Sequence, residues 1–280
     1  MPRGMRSQKT MHAVIVYASL AFFTFLSLGP FYWMLVTSLK TRRELYRVVS
    51  LWPQQLYLGH WREVFTTIGV PAWMMNSLEV AVTTTLLSVL IGIPAAYAIS
   101  RLRFPGRKAL GLSLILVYLV PSYVLFIPYF AFLVRLGLTN SLVGLALTHL
   151  SFTVPFCTWV LVGYFKTIPR DLEDAAFVDG CGRLGALVRI LLPLSTPAIV
   201  VTAMFSFTLS WNEFLYSIVF ITDRNLLTIT GGLVRTMTED EFPWGELMSA
   251  SILTSIVPVA LYFVSQRWVV RGLVAGGVKG

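Results

Sequence analysis

Ile168-Pro169-Arg170-Asp171-Leu172-Glu173-Asp174-Ala175-Ala176, then Asp179-Gly180, then Ile190-Leu191-Leu192-Pro193, form a polar interruption between two long apolar runs. Pro169 is suited to open a helix. Asp171, Glu173 and Asp174 crowd its first turns, where negative charge complements the helix dipole. Ala175 and Ala176 add a strongly helical, small-faced stretch, and Gly180 stops or bends it. Arg183 to Ile190 reads as a second short helix that Pro193 ends. The three acids are expected on exposed turns, with Gly180 as the bend that aims them. A polar helix–bend–helix unit of this kind has the form of a docking element for a soluble partner.

The sequence on either side is of a different character. Of the 280 residues, 56% are hydrophobic and 12% charged, whereas a soluble domain carries about 25% charged residues. That much apolar surface must face lipid. A helix needs about 20 apolar residues to cross the hydrocarbon core, and helices satisfy their backbone polar groups internally. The alternating ten-residue stretches of a membrane barrel are not apparent. Six apolar runs stand out, at roughly 13–39, 75–100, 109–133, 142–165, 198–221 and 247–266. The expectation is an all-α polytopic membrane protein, one transmembrane domain over 1–280, with a cytoplasmic loop at 166–197. The first run follows Arg3, Arg6 and Lys9. It is too long for a signal-peptide core and lacks a small-x-small cleavage site, so it reads as a true span.

With both termini in the cytoplasm, 14 of the 22 Lys and Arg lie inside and the acidic 222–246 segment lies outside. Lys40, Arg42, Arg43 and Arg47 argue against this orientation, because they directly follow the first span. Pro94, Pro121, Pro128, Pro155 and Pro258 kink their spans, as suits a transporter that rocks between two openings. No internal repeat is evident. The +9 net charge is divided into short clusters between apolar runs, which fits orientation in the membrane better than a nucleic-acid face. Cys157 and Cys181 read as unpaired. His12, His60 and His149 are too scattered for a metal site. No Gly-x-x-x-x-Gly-Lys-Ser/Thr loop cradles phosphates, and no nucleophile, base and metal ligands cluster as in an enzyme.

The 168–193 stretch resembles the EAA loop of ABC importer permeases. Asp174, Ala175, Ala176, Gly180, Ile190, Leu192 and Pro193 fit its spacing, with Asp174 where the family usually has glutamate. Other segments are similar to the smaller permease of the maltose-type carbohydrate importers. They are Asn76-Ser77, Ala95-Ala96-Tyr97-Ala98, Arg101-Leu102-Arg103-Phe104-Pro105-Gly106, Leu136-Gly137-Leu138 and Ser210-Trp211-Asn212-Glu213-Phe214. The tail Gly276-Gly277-Val278-Lys279-Gly280 departs from the usual Gly-Ala-Val-Lys-Gly only at Gly277. The resemblance runs from about residue 75 to the end.

It implies a type I ABC importer permease in the inner membrane, working with a second permease, two ATPases and an extracytoplasmic sugar-binding protein. Glu173, Asp174, Ala175, Ala176, Asp179, Gly180, Ile190, Leu192 and Pro193 would then dock on the ATPase, and the 276–280 tail would reach between the two ATPases. The resemblance implies no cofactor in this chain, ATP and magnesium being held by the partner ATPase. It also implies that Glu239, Asp240, Glu241 and Trp244 meet the binding protein.

The fifth run carries its own candidates. An acid in a span is costly and faces a cavity or a partner. Asn212 and Glu213, flanked by Trp211, Phe214 and Tyr216, could therefore hold a sugar, with rings stacking on its faces and the polar groups taking its hydroxyls. The same residues also suit a membrane-interface belt, and in the maltose case the partner permease supplies most sugar contacts. Glu79 is a weaker member of this set. The competing reading is an ion-coupled secondary transporter or channel. It requires titratable groups inside the membrane, and only Glu213 and Glu79 are on offer.

Overall fold

The computed structural model describes residues 3–47, 49–121, 124–237 and 242–277, and among these residues every regular element is helical. In chain order they are α1 (Arg3–Ser38), α2 (Arg42–Arg47), α3 (Gly59–Glu63), α4 (Val70–Arg101), α5 (Arg107–Leu119), α6 (Phe126–Leu136), α7 (Leu142–Phe165) and α8 (Asp171–Val178). There follow α9 (Arg183–Ala186), α10 (Leu192–Trp211), α11 (Leu215–Phe220), α12 (Ile229–Thr236) and α13 (Trp244–Gly277). Five helical stretches are long and apolar enough to cross a membrane: Met11–Ser38, Val70–Arg101, Leu142–Phe165, Arg183–Trp211 and Trp244–Trp268.

The apolar run at 109–133 is not one helix. It is divided into α5 and α6, because Val120 turns extended (ψ 119°) ahead of Pro121. A proline disfavours helical backbone at the residue before it and has no N–H to continue the ladder. Thirteen residues of α5 rise about 20 Å, short of the roughly 30 Å hydrocarbon core. A second difference concerns Pro193. It does not end the short helix after Arg183. A π-turn over Leu187–Leu191 runs straight into α10, which takes Pro193 in its first turn. The π-turn widens the helix just ahead of the proline, where its ring would otherwise crowd the carbonyl of the preceding turn.

The chain groups into two compact units, Met1–Ile68 with Thr236–Ser255, and Gly69–Arg235 with Ile256–Gly280. In the first, α1 presents Phe22, Phe23 and Phe25 outward, as a lipid-facing helix does. Past its end, Lys40 is buried, donating to the Ser50 carbonyl at 2.5 Å and lying 4.9 Å over the Trp33 ring. Arg42 pairs with Glu63 (2.8 Å) and Glu246 (2.7 Å). The charge of Glu246, and after it that of Glu63, raises the Arg42 pKa against the lowering effect of burial. His60 is fully buried, with Nε2 2.9 Å from the Lys40 carbonyl and Nδ1 3.1 Å from Glu246. Of the four cations that follow the first span, Lys40 is thus held inside the protein, and Arg42, still exposed, is paired with two carboxylates.

The core of the second unit is α4 packed on α7, with α10 against both. Ala96, Ile99, Cys157, Leu161, Phe165 and Leu191 are among its buried side chains. Small residues let the backbones approach, and hydroxyls bond across the seam. Ser88 meets Thr153 at 2.7 Å. A Cβ on Gly92 would sit 2.7 Å from Cys157 Sγ, so any larger residue there forces the thiol to shift. At the N-terminal end of α4, the indole N–H of Trp73 donates to the Arg224 carbonyl (2.7 Å). The Asn76 amide donates to the carbonyls of Asn225 (2.7 Å) and Leu227 (2.9 Å). Ser77 accepts the N–H of Ile229 (2.8 Å). These bonds give the Asn76-Ser77 pair a structural job, that of gripping the returning 224–229 segment.

Candidate functional site

The loop between α7 and α10 protrudes as a polar hairpin of short helices. Asp171, Glu173 and Asp174 lie in the first turn of α8, where they complement its dipole. The helix closes in a Schellman arrangement. Gly180 has φ +82°, its N–H donates to the Phe177 carbonyl at 3.1 Å, and the Cys181 N–H donates to the Ala176 carbonyl at 2.9 Å. A left-handed residue after the last turn is what lets these bonds form, and glycine takes that conformation without steric cost. Its two chain neighbours apart, no atom of the described residues comes within 4 Å of a Cβ built on Gly180. Asp171, Asp174, Ala175, Asp179 and Gly180 are exposed. Beside them Leu172, Phe177, Val178 and Leu184 are also open, Val178 at 88%. Acids interleaved with open apolar side chains make a surface able to seat a partner. Ile190 and Leu192 are half-buried, Leu192 packing on the core, and Pro193 is exposed.

Glu173 departs from the expectation. It is buried rather than exposed (4%), because its position in the first turn of α8 faces α4. Its Oε1 lies 2.5 Å from Nε of Arg101, the last residue of α4, and both side chains are almost wholly enclosed. Arg101 also donates through Nη2 to the Ile168 carbonyl (2.9 Å). Arg170 returns the grip, donating to the Ser100 carbonyl at 3.2 Å. Arg101 and Arg170 both stand in motif stretches of the sequence, yet neither spacing nor composition pairs them with a partner. The Arg-Leu-Arg-Phe-Pro-Gly run carried the signal but did not name Arg101's partner.

The 211–216 run is split between interior and surface. Trp211 is buried and stacks on Phe207 (centroids 5.6 Å apart), and Tyr216 is buried and stacks on Phe220 (5.3 Å). Asn212 and Phe214 are exposed. Glu213 is half-buried and turned inward. Both its oxygens accept the Tyr216 N–H at 3.1 Å, so it caps α11, and Oε2 lies 3.4 Å from Nε2 of buried His149. The other ring nitrogen of His149 is 2.7 Å from Ser210 Oγ. Nothing in the sequence joined His149 to Ser210 and Glu213, since the histidine lies on another helix. Glu79 is exposed on α4.

Between α5, α7 and α10 lies a cavity of about 910 Å³, lined by Leu112, Ile115, Trp159, Val162 and Phe205 among others, with Arg107, Lys108 and Lys166 on its rim residues. Trp244 is exposed at the start of α13. Glu239, Asp240 and Glu241 lie outside the described residues, as do Val278, Lys279 and Gly280, whereas Gly276 and Gly277 are the last helical residues of α13. Among the described residues no group of three His, Cys, Asp or Glu side chains could hold a metal ion.

Five helical stretches of membrane-crossing length, with a polar hairpin of short helices opening one of them, mark a membrane protein. Residues 88–274 match the family of binding-protein-dependent transport system inner membrane components, and the chain belongs to that family. It is a multi-pass inner-membrane protein. It is 40% identical over 256 residues to the sulfoquinovosyl glycerol transport system permease protein SmoH of Agrobacterium fabrum, covering 90% of this chain and 89% of that one. It is 32% identical over 276 residues to the trehalose/maltose transport system permease protein MalG of Thermococcus litoralis, covering 98% and 99%. A solved bacterial ABC transporter that imports the acidic polysaccharide alginate superposes with a TM-score of 0.75 at 20% identity, over 95% of this chain and 98% of that one. That likeness shows the type I importer fold.

Proposed function

We propose that this chain forms half of the membrane channel of an ATP-driven importer of sugars or glycosides. It would pair with a second permease, take substrate from an extracytoplasmic binding protein and couple to a separate ATPase that holds ATP and magnesium. The observation that carries this reading is the docking hairpin, with its Schellman-closed helix and an exposed face of Asp171, Asp174, Ala175 and Asp179 beside open apolar side chains. A passive connector has no need of such a face. Relatives named for trehalose and maltose and for sulfoquinovosyl glycerol support the substrate class.

Within this reading α5 and α6 together make a sixth crossing, broken at Pro121, and both termini are cytoplasmic. The excess of Lys and Arg on the cytoplasmic side, 14 of 22, supports that orientation. Asn212, Phe214 and Glu79 remain free to line the pathway, while Trp211, Tyr216 and Glu213 hold its wall. Trp244 and the acidic 239–241 residues are assigned to the binding protein, and the 276–280 tail to the ATPases.

The test is co-purification of the complex's ATPase with wild type and with Asp174→Lys. Charge reversal on the exposed face should weaken association, and high salt should narrow the difference by screening it. Equal recovery of the ATPase with both proteins at low salt would sink the docking role.

A further inference from the structure

We infer that Arg101 and Glu173 are the positioning residues that make the docking hairpin and α4 move as one body. Of the eight residues of α8, only Glu173 and Ala176 are buried. Ala176 belongs to a helix that packs on the rest of the hairpin, so the hold of α8 on the membrane part of the protein comes from the Glu173 carboxylate. The carboxylate meets a guanidinium at 2.5 Å in a nearly closed site. An ion pair withdrawn from water is no better for stability than a well-packed apolar pair, so stability alone gives no reason to place it there. Its geometry does. The Arg101 fork holds two points of the hairpin, the Glu173 carboxylate and the Ile168 carbonyl, and so fixes orientation as well as position. Arg170 holds the end of α4 in return through the Ser100 carbonyl.

The other end of α4 is equally engaged. Trp73, Asn76 and Ser77 bind the backbone of 224–229. A 32-residue helix rises about 48 Å, enough to cross the membrane with a hold on both sides. Displacement of the hairpin is thereby delivered along α4 to the segment at its far end. The inference rests on the hairpin docking to the ATPase, and it adds the route by which that docking is felt.

The experiment uses the full complex, with second permease and ATPases, lacking Cys157 and Cys181. Spin labels are placed at exposed Val178 on α8 and exposed Leu90 on α4, and, because Val178 lies on the docking face, Gly182 in the turn after α8 serves as a second label site in its place. In wild type the distance between them should stay the same on ATP/vanadate trapping, while Val178 shifts against a label on the ATPase. The double variant Arg101→Ala/Glu173→Ala removes both charges and leaves neither buried alone. It should still recover the ATPase, but its Val178–Leu90 distance should broaden and change with trapping. Should that variant be lost from the membrane, Arg101→Lys decides. It keeps the charge but cannot hold both points, and should broaden the distance in the same direction. A wild-type distance in whichever variant assembles would overturn the inference. Failure of wild type itself to bind the ATPase would instead overturn the docking reading.

Discussion

Replacing Gly180 perturbs backbone and partner in ways that can be separated. At φ +82°, an L-residue costs about 1–2 kcal/mol relative to glycine. Alanine recovers about 0.4–1 kcal/mol of that by restricting the unfolded chain. The net cost of Gly180→Ala is therefore close to ~1 kcal/mol, small beside the roughly 5–15 kcal/mol that holds a folded protein together. Valine is worse, since a β-branched side chain at positive φ is a steric outlier. It should push the residue out of the left-handed region and break the bonds to Phe177 and Ala176, at about 0.5–1.5 kcal/mol each. The hairpin then loses its shape while the spans stay inserted. Asparagine is the informative third variant, because it tolerates the left-handed region and, its chain neighbours apart, no atom of the described residues lies within 4 Å of its Cβ. Any loss with Gly180→Asn must then come from the docked partner. The assay is ATPase co-purification beside uptake in the same cells. We expect near-normal behaviour from Gly180→Ala and loss of uptake from Gly180→Val. Full transport and ATPase recovery by Gly180→Val would refute the view that the closed hairpin is the coupling surface.

Three further outcomes are expected. Gly92→Ala places a methyl 2.7 Å from Cys157 Sγ and should destabilise the α4–α7 seam by about 1–3 kcal/mol. Cys157→Ala in the same chain should restore the melting temperature in detergent, and an unchanged melt for Gly92→Ala alone would contradict the packing. Glu213→Gln weakens the cap on Tyr216 and the contact with His149, where a bond to a charged group contributes about 1.5–3 kcal/mol. Uptake should fall while assembly and basal ATP hydrolysis persist, and unchanged uptake kinetics would make Glu213 dispensable to the wall. In a chain lacking Cys157 and Cys181, a cysteine at Asn225 should react with an impermeant maleimide added outside and one at Val178 should not. The reverse pattern would invert the membrane orientation.

What could be read from the sequence was set by how local the physics is. Composition and run length suffice for helices in lipid, because every apolar residue there contributes independently of its neighbours in space. The break in the third run and the role of Pro193 were less accessible. Proline ends one helix or starts the next with the same covalent chemistry, and what decides is the conformation of the residues before it. Val120 turns extended ahead of Pro121, whereas the turn before Pro193 widens into a π-turn and carries on. Aromatic residues in a span posed a similar ambiguity. Trp211 and Tyr216 have the composition of a sugar site, yet each is stacked on an interior phenylalanine.

The hairpin contains both kinds of information within one turn of helix. Asp174 and Gly180 act through their own backbone and the solvent, so their spacing alone was enough to read a short helix and its end. Glu173, one residue earlier, satisfies the same dipole rule but faces Arg101 at the end of another helix. No periodicity relates positions 101 and 173, because the pairing arises only when α4 and α7 have packed and brought the hairpin back over the end of α4. That order of dependence also says what the pair can do. A contact that exists only when hairpin and core are assembled reports the position of one to the other, whereas Asp174 and Gly180 shape the hairpin wherever the core happens to be.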